Sequence, residues 1–270
     1  MPTKQRSQQK PTQQSQRRPK RRLPGWVSNQ HGAWAMVIVP PIVALTLAPS
    51  WTGALLALTW WFGYFFFFAA SVWMRARFRR KHLPPVATYG AITAVLGIGT
   101  LFADWTLLRW LPLYAPLIAI AVYETWRRRP RSLLSGLSTV LAANLILPTI
   151  VSASEPLTST GWATTAVLAA FFVGTLPYVK TLIRERGSKA WVTGSVAFHA
   201  AALVLVCLLT FWGLAHWLTI PTFAVLLVRA WGMPWYAARN NMRWSPQTVG
   251  MFEGVFTALV AVTALLTPLG

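Results

Sequence analysis

The sequence predicts an all-helical membrane protein, a polytopic bundle of about nine transmembrane helices with the N-terminus inside and the C-terminus outside. Three observations predict it. Of 270 residues, 55% are hydrophobic and only 11% charged, and the mean hydropathy is +0.47, a balance that a water-soluble domain would struggle to keep. The apolar residues fall in windows of about twenty, the length that crosses a hydrocarbon core about 30 Å thick. The 25 Lys and Arg residues lie almost wholly between those windows. A formal charge of +20 on a soluble chain would suggest a nucleic-acid partner, but this placement excludes that class and makes the bilayer the partner.

Residues 1–24 hold eight Lys or Arg among Gln and Pro with almost nothing apolar, so they cannot bury enough surface to offset their ordering entropy. They read as a disordered polybasic cytoplasmic tail, with residues 25–270 as a single transmembrane domain. Two roles stand open for the tail: a topology signal, or an anchor for anionic lipids, to which each cation contributes on the order of 1 kcal/mol. The overlong basic region, and Pro40 and Pro41 in the apolar stretch after it, argue against a cleaved secretory signal.

The first span, 31–49, opens on Asn29, Gln30 and His31; Gly32 and Ala33 then permit close helix approach, and Pro40–Pro41 removes two backbone donors near mid-span. The second, 51–74, carries the aromatic run GYFFFFAASVW at 63–73, which suits lipid or an isoprenoid chain equally, and ends at the basic run RARFRRK, 75–81. Spans 86–103 and 105–126 flank Asp104, near which Arg109 is the one cation on its side, read as pairing with Asp104 or snorkelling outward. RRRPR at 127–131 leads into the fifth span, 132–152, where Asn144 and Pro148 lie near mid-membrane, as His199 does in the seventh. Lys180, Arg184, Arg186 and Lys189 gather about the connection of spans 160–182 and 190–212, and Arg229, Arg239 and Arg243 about that of spans 214–232 and 246–268. Basic residues thus mark every second connection, the positive-inside pattern, and misplacing one span would invert half of it. Tryptophans at the predicted interfaces, among them Trp51, Trp105, Trp126 and Trp212, support the same boundaries. The lone Cys207 excludes an intramolecular disulfide and a cysteine-cluster metal site, and reads as a buried inert thiol.

Within hydrocarbon every polar group needs a partner, so polar residues inside spans are the informative minority. Gln30 and His31 stand at the inner mouth of the first span, His31 either as a cap or packing residue or as a ligand contact, since no second His or Cys lies at metal-ligand spacing. In the sixth span Pro177 is expected to break the helix, with Tyr178 and Lys180 at the inner edge; if the helix resumes, Lys180 and Arg184 share a face at i, i+4. Two cations there form a cradle for phosphate or carboxylate, or snorkel as topology charges. In the ninth span Pro246 starts a helix and Glu253 lies roughly 10 Å inside it, costly unless paired or protonated. A structural pair with a basic residue and a role in binding or proton handling both fit it. Glu124, with Arg127 and Arg128 at i+3 and i+4, reads as a local pair.

The runs QHGAWAM, 30–36, and YVKTLIRER, 178–186, resemble the YwiC-like family of bacterial integral membrane proteins, over residues 28–268. The resemblance implies a multi-pass protein of the bacterial cytoplasmic membrane and brings no activity with it. A looser resemblance is to UbiA-type prenyltransferases, which share nine spans and candidate groups on the second-to-third and sixth-to-seventh connections. Those enzymes are expected to carry aspartate-rich, magnesium-binding motifs on these two connections; here they read RARFRRKH and IRERGSK, with no aspartate.

The leading functional expectation is an inner-leaflet cavity that binds an amphipathic anion, an isoprenoid or lipid phosphate, lined by Gln30, His31, Tyr178, Lys180, Arg184 and Glu253. No metal or cofactor is expected, no catalytic group is assigned, and the reading leans against an enzyme. The alternatives are a divergent, metal-independent prenyl-type transferase, with Lys180 and Arg184 stabilising a leaving diphosphate and Glu253 or His31 as base; a transporter, which broken helices would suit; and a structural or assembly protein.

Overall fold

The computed structural model describes residues 25–28 and 31–267. The basic tail and Gln30 therefore lie outside the described residues. Those described are all-helical, with no strand among them: α1 His31–Leu47, α2 Trp51–Arg75, α3 Leu83–Ala103, α4 Leu111–Trp126, α5 Leu133–Val151, α6 Ser159–Ile183, α7 Lys189–Phe211, α8 Thr219–Arg239 and α9 Pro246–Leu265. Short 3-10 turns, Arg80–His82 and Trp105–Trp110, lead into α3 and α4. Seven of these segments are long and apolar enough to cross a membrane; α1 is apolar but has 17 residues, and α8 mixes polar with apolar residues.

Local chemistry sets the boundaries. Hydroxyls at Ser50, Ser132, Thr158 and Ser245 accept from the backbone N–H three residues on, capping α2, α5, α6 and α9, and Pro246 supplies the preset φ of a first helical residue. At one end of the bundle every reversal uses a left-handed residue after the helix: Arg77 and Phe78, Arg128, Gly187 and Asn241.

The break expected at Pro177 does not occur. α6 runs unbroken through Pro177, so Lys180 lies in its last turn and Arg184 is its C-cap, and α1 runs unbroken through Pro40 and Pro41. Pro41 cannot donate to the carbonyl of Val37 one turn back. That buried oxygen instead accepts both the Trp60 and the Trp61 indole N–H of α2, each at 3.2 Å, which lets a double-proline helix persist in apolar surroundings.

α5 and α6 are the most enclosed helices and α3 among the least. The core joins Val43 of α1, Ile146 and Leu147 of α5, Leu168 and Phe172 of α6, Val206 of α7, Phe223 of α8 and Val260 of α9. On one flank α2 packs against α3, with Thr59 and Thr100 sharing a 3.0 Å hydrogen bond and Phe65 stacked on Tyr89 at 5.1 Å. Phe65 also meets Trp34 of α1, so part of the aromatic run is packing rather than a free lipid face. Cys207 is exposed on α7 and not buried as expected: Val206 and Leu209 are the inward residues of that turn.

The chain passes from end to end nine times among the described residues. α1, short as it is, starts beside Arg131 and Lys180 and ends near Gly53, which packs against Ile150 at the far end of α5. α8 begins just after His216, whose N–H donates to Thr267 Oγ1 beyond α9, and ends at Asn241 beside the α6–α7 connection. The basic connections therefore gather at one end of the bundle, and Asp104, Arg109 and Glu155 lie at the other. The eighth helix is displaced from the expected 214–232 because it starts only after the turn at His216–Leu218 and continues through the polar last turn to Arg239.

Candidate functional site

In α8 the buried residues Phe223, Leu226, Arg229 and Ala230 recur at helical spacing, so the stripe that packs into the bundle includes a cation. Opposite it, the third turn of α9 presents Glu253. Arg229 Nη1 donates to Glu253 Oε1 in an ion pair whose side chains are 5% and 14% exposed. The guanidinium lies between two rings, 4.0 Å from the Tyr178 centroid and 4.5 Å from that of Phe256. Thr175 Oγ1 is 2.9 Å from Glu253 Oε2 and 3.1 Å from the Phe171 carbonyl; its single proton is better spent on the carboxylate. Tyr178, one turn on, is fully buried and its hydroxyl contacts Met233 Sδ at 2.8 Å. His199 of α7 meets Tyr178 edge-on, and its Nδ1 donates to the Ser195 carbonyl at 2.7 Å. A residue larger than glycine at 174 would set its Cβ 3.2 Å from His199 Nε2.

The pair satisfies Glu253 better than Arg229. Nε and Nη2 of Arg229 meet no acceptor among the described residues. Those two nitrogens form the side-on edge of the guanidinium, the edge that grips a carboxylate or phosphate with two parallel bonds. Such buried donors are costly to leave unmade, about 1–3 kcal/mol each.

A crevice of about 360 Å³ lies between α1, α5 and α6. Arg131, Lys180 and Arg184 stand at its rim with Gly32 at the start of α1, and Met36, Leu133, Val140, Leu176 and Val179 make its apolar walls. Thr175 lines it as well, so one hydroxyl joins the crevice to the buried pair. Lys180 Nζ lies 4.7 Å over the Trp191 ring.

The six residues singled out by sequence therefore divide. Tyr178 and Glu253 belong to the buried cluster, Lys180 and Arg184 to the crevice rim. His31 is the first residue of α1, next to the rim, and Gln30 lies outside the described residues. Counting Arg229 with the connection charges misses it, although it lies inside the expected span 214–232; the signal is its place on the Phe223–Leu226–Ala230 stripe. Thr175, Arg131 and Phe256 were also missed, and no local pattern marks them. Arg109 does not pair with Asp104: its Nη2 donates to the Ser152 carbonyl at 3.1 Å, and Asp104 Oδ1 accepts from Thr106 N–H and Oγ1. Arg127 lies over the Tyr123 ring at 5.9 Å, and among the described residues it forms no ion pair with Glu124.

An all-helical bundle with seven long apolar helices, its basic connections gathered at one end and a polar cluster within it defines a multi-pass membrane protein. The model of the YwiC-like protein family matches residues 27–151, which hold α1 to α5 and the first of the two motifs, 30–36. The chain is 27% identical over 245 residues to an "Uncharacterized protein" of Haemophilus influenzae, covering 90% of this chain and 98% of that one. It is 28% identical over 239 residues to the "Uncharacterized protein YwiC" of Bacillus subtilis, covering 84% and 91%. No solved structure matches the chain.

Proposed function

We propose that this protein resides in the bacterial cytoplasmic membrane, with its basic end facing the cytoplasm, and that it binds an amphipathic anion, an isoprenoid or lipid phosphate, in the crevice between α1, α5 and α6. The observation that carries the reading is the crevice's division into a cationic rim and apolar walls. A phosphate head would meet Arg131, Lys180 and Arg184, with the N-terminal amides of α1 adding partial positive charge, and an apolar chain would lie along Leu176 and Val179. The orientation rests on the basic connections sharing one end, and the bacterial relatives support the compartment.

The test is native mass spectrometry of protein purified in mild detergent with added farnesyl phosphate, comparing wild type with Arg131→Gln/Lys180→Gln. Roughly tenfold weaker binding in the variant at an unchanged melting temperature is expected, equivalent to about 1.4 kcal/mol. Equal binding by both would return these cations to a purely topological role.

A further inference from the structure

A second, larger groove of about 860 Å³ opens on the other side of the α6 C-terminus, between the α6–α7 connection and the end of α8. Arg184, Arg186, Lys189 and Arg243 line it, and no carboxylate does. Arg186 Nε is held by the Ile183 carbonyl at 3.1 Å, and Glu185, between two of the cations in sequence, is not part of the lining. The opposite wall is aromatic: Trp231 and Trp235, one turn apart on α8, stack at 5.7 Å with their planes 16° apart and remain about half exposed, 54% and 47%. The Arg239 guanidinium lies 5.5 Å from the Trp235 ring centroid.

The two walls ask for different things from one ligand. Uncompensated cations with Ser188 and Asn241 beside them suit a phosphate oxygen. An exposed indole pair on a helix that crosses the bundle suits the boundary between headgroup and acyl chain. Free phosphate would use the cations and leave the indoles idle. We propose that this groove binds the headgroup of an anionic diacyl phospholipid of the surrounding leaflet, with the phosphate among Arg186, Lys189 and Arg243 and the glycerol backbone against Trp231 and Trp235. It is built from residues of the helical body, and apart from the shared edge at Ile183 and Arg184 it is distinct from the α1–α5–α6 crevice.

The experiment uses the full chain in zwitterionic detergent titrated with phosphatidylglycerol or phosphatidylcholine, with bound lipid counted by native mass spectrometry. Wild type should hold phosphatidylglycerol in preference to phosphatidylcholine. Arg186→Gln/Lys189→Gln/Arg243→Gln should bind phosphatidylglycerol roughly a hundredfold more weakly. The charge-preserving Arg186→Lys/Lys189→Arg/Arg243→Lys should keep the preference, which guards against a folding defect. Unchanged phosphatidylglycerol binding in the Gln variant overturns the proposal. Displacement of the lipid by an equal concentration of inorganic phosphate also overturns it, assigning the cations to a soluble anion. Farnesyl phosphate binding should not change in the Gln variant, so failure here and failure of the crevice reading are separable.

Discussion

The two ends of the bundle use the same residue types in opposite ways. At the end that holds Asp104 and Glu155, where Arg109 and Glu155 also line a cavity of about 640 Å³, several polar groups are spent on the protein itself: Asp104 on Thr106, Arg109 and Trp110 on Ser152, the His216 amide on Thr267. At the other end Arg131, Lys180, Arg184, Arg186, Lys189 and Arg243 surround two open clefts. An arginine that straps two connections together is explained by the strap. Arginines that ring an amphipathic cleft with no acidic partner within 4 Å, among the described residues, are explained by something outside the chain. The Arg229–Glu253 pair stands between these cases, buried and half satisfied.

The largest way to test that intermediate position is to remove one charge. Glu253→Leu should leave Arg229 buried without a counter-ion and cost about 3–5 kcal/mol, whereas Arg229→Leu/Glu253→Leu should cost much less, because breaking a buried pair is worse than replacing it. Thermal unfolding in detergent measures both. A single variant as stable as wild type would show that the pair is not enclosed.

The next effect strikes the self-satisfied end. Gly53 lies where α1, α2 and α5 converge, and an added Cβ would sit 2.7 Å from Ser50 Oγ and 3.0 Å from Ile150 Cγ2. Gly53→Ala should therefore cost about 1–3 kcal/mol in thermal stability through overpacking and disturbance of the α2 cap. A neutral result would mean that this end yields more readily than its packing suggests. Smaller again is the lock on the proline carbonyl. Trp60→Phe or Trp61→Phe should cost about 1 kcal/mol each, and the double variant more than the sum, because only then is the Val37 oxygen left unmade. Additive losses would show that the second indole is redundant packing.

How far these features could be read beforehand follows from their physics. Span length and the sidedness of charge are one-dimensional, so α2, α5 and α6 fall within two residues of their expected bounds. α8 does not, because a helix whose inward stripe holds Arg229 and whose outer face holds Trp231 and Trp235 has no clean apolar window. Glu253 stands out in the sequence as an isolated acid, but its partner Arg229 lies 24 residues away on another helix, where charge sidedness alone counts it with the connection. Pro177 misled for a different reason: a missing donor does not by itself end a helix, and at Pro41 the freed Val37 oxygen shows one remedy, two indole donors. Lys180 and Arg184 do share the crevice rim, as their i, i+4 spacing implied, and only the fold could add Arg131 to them.

The smallest expected effects give the sharpest comparison, since they set one arginine against another. Arg109→Gln removes an exposed strap to the Ser152 carbonyl and should lower stability by about 0.5–1.5 kcal/mol without altering farnesyl phosphate binding. Arg131→Gln removes an exposed cation at the crevice rim and should leave stability within about 0.5 kcal/mol while weakening that binding. Melting curves and native mass spectra of the two single variants, side by side, read both quantities. If Arg131→Gln destabilised the protein as much as Arg109→Gln and left binding intact, the basic end would be as self-contained as the other, and the asymmetry that supports a ligand there would be gone.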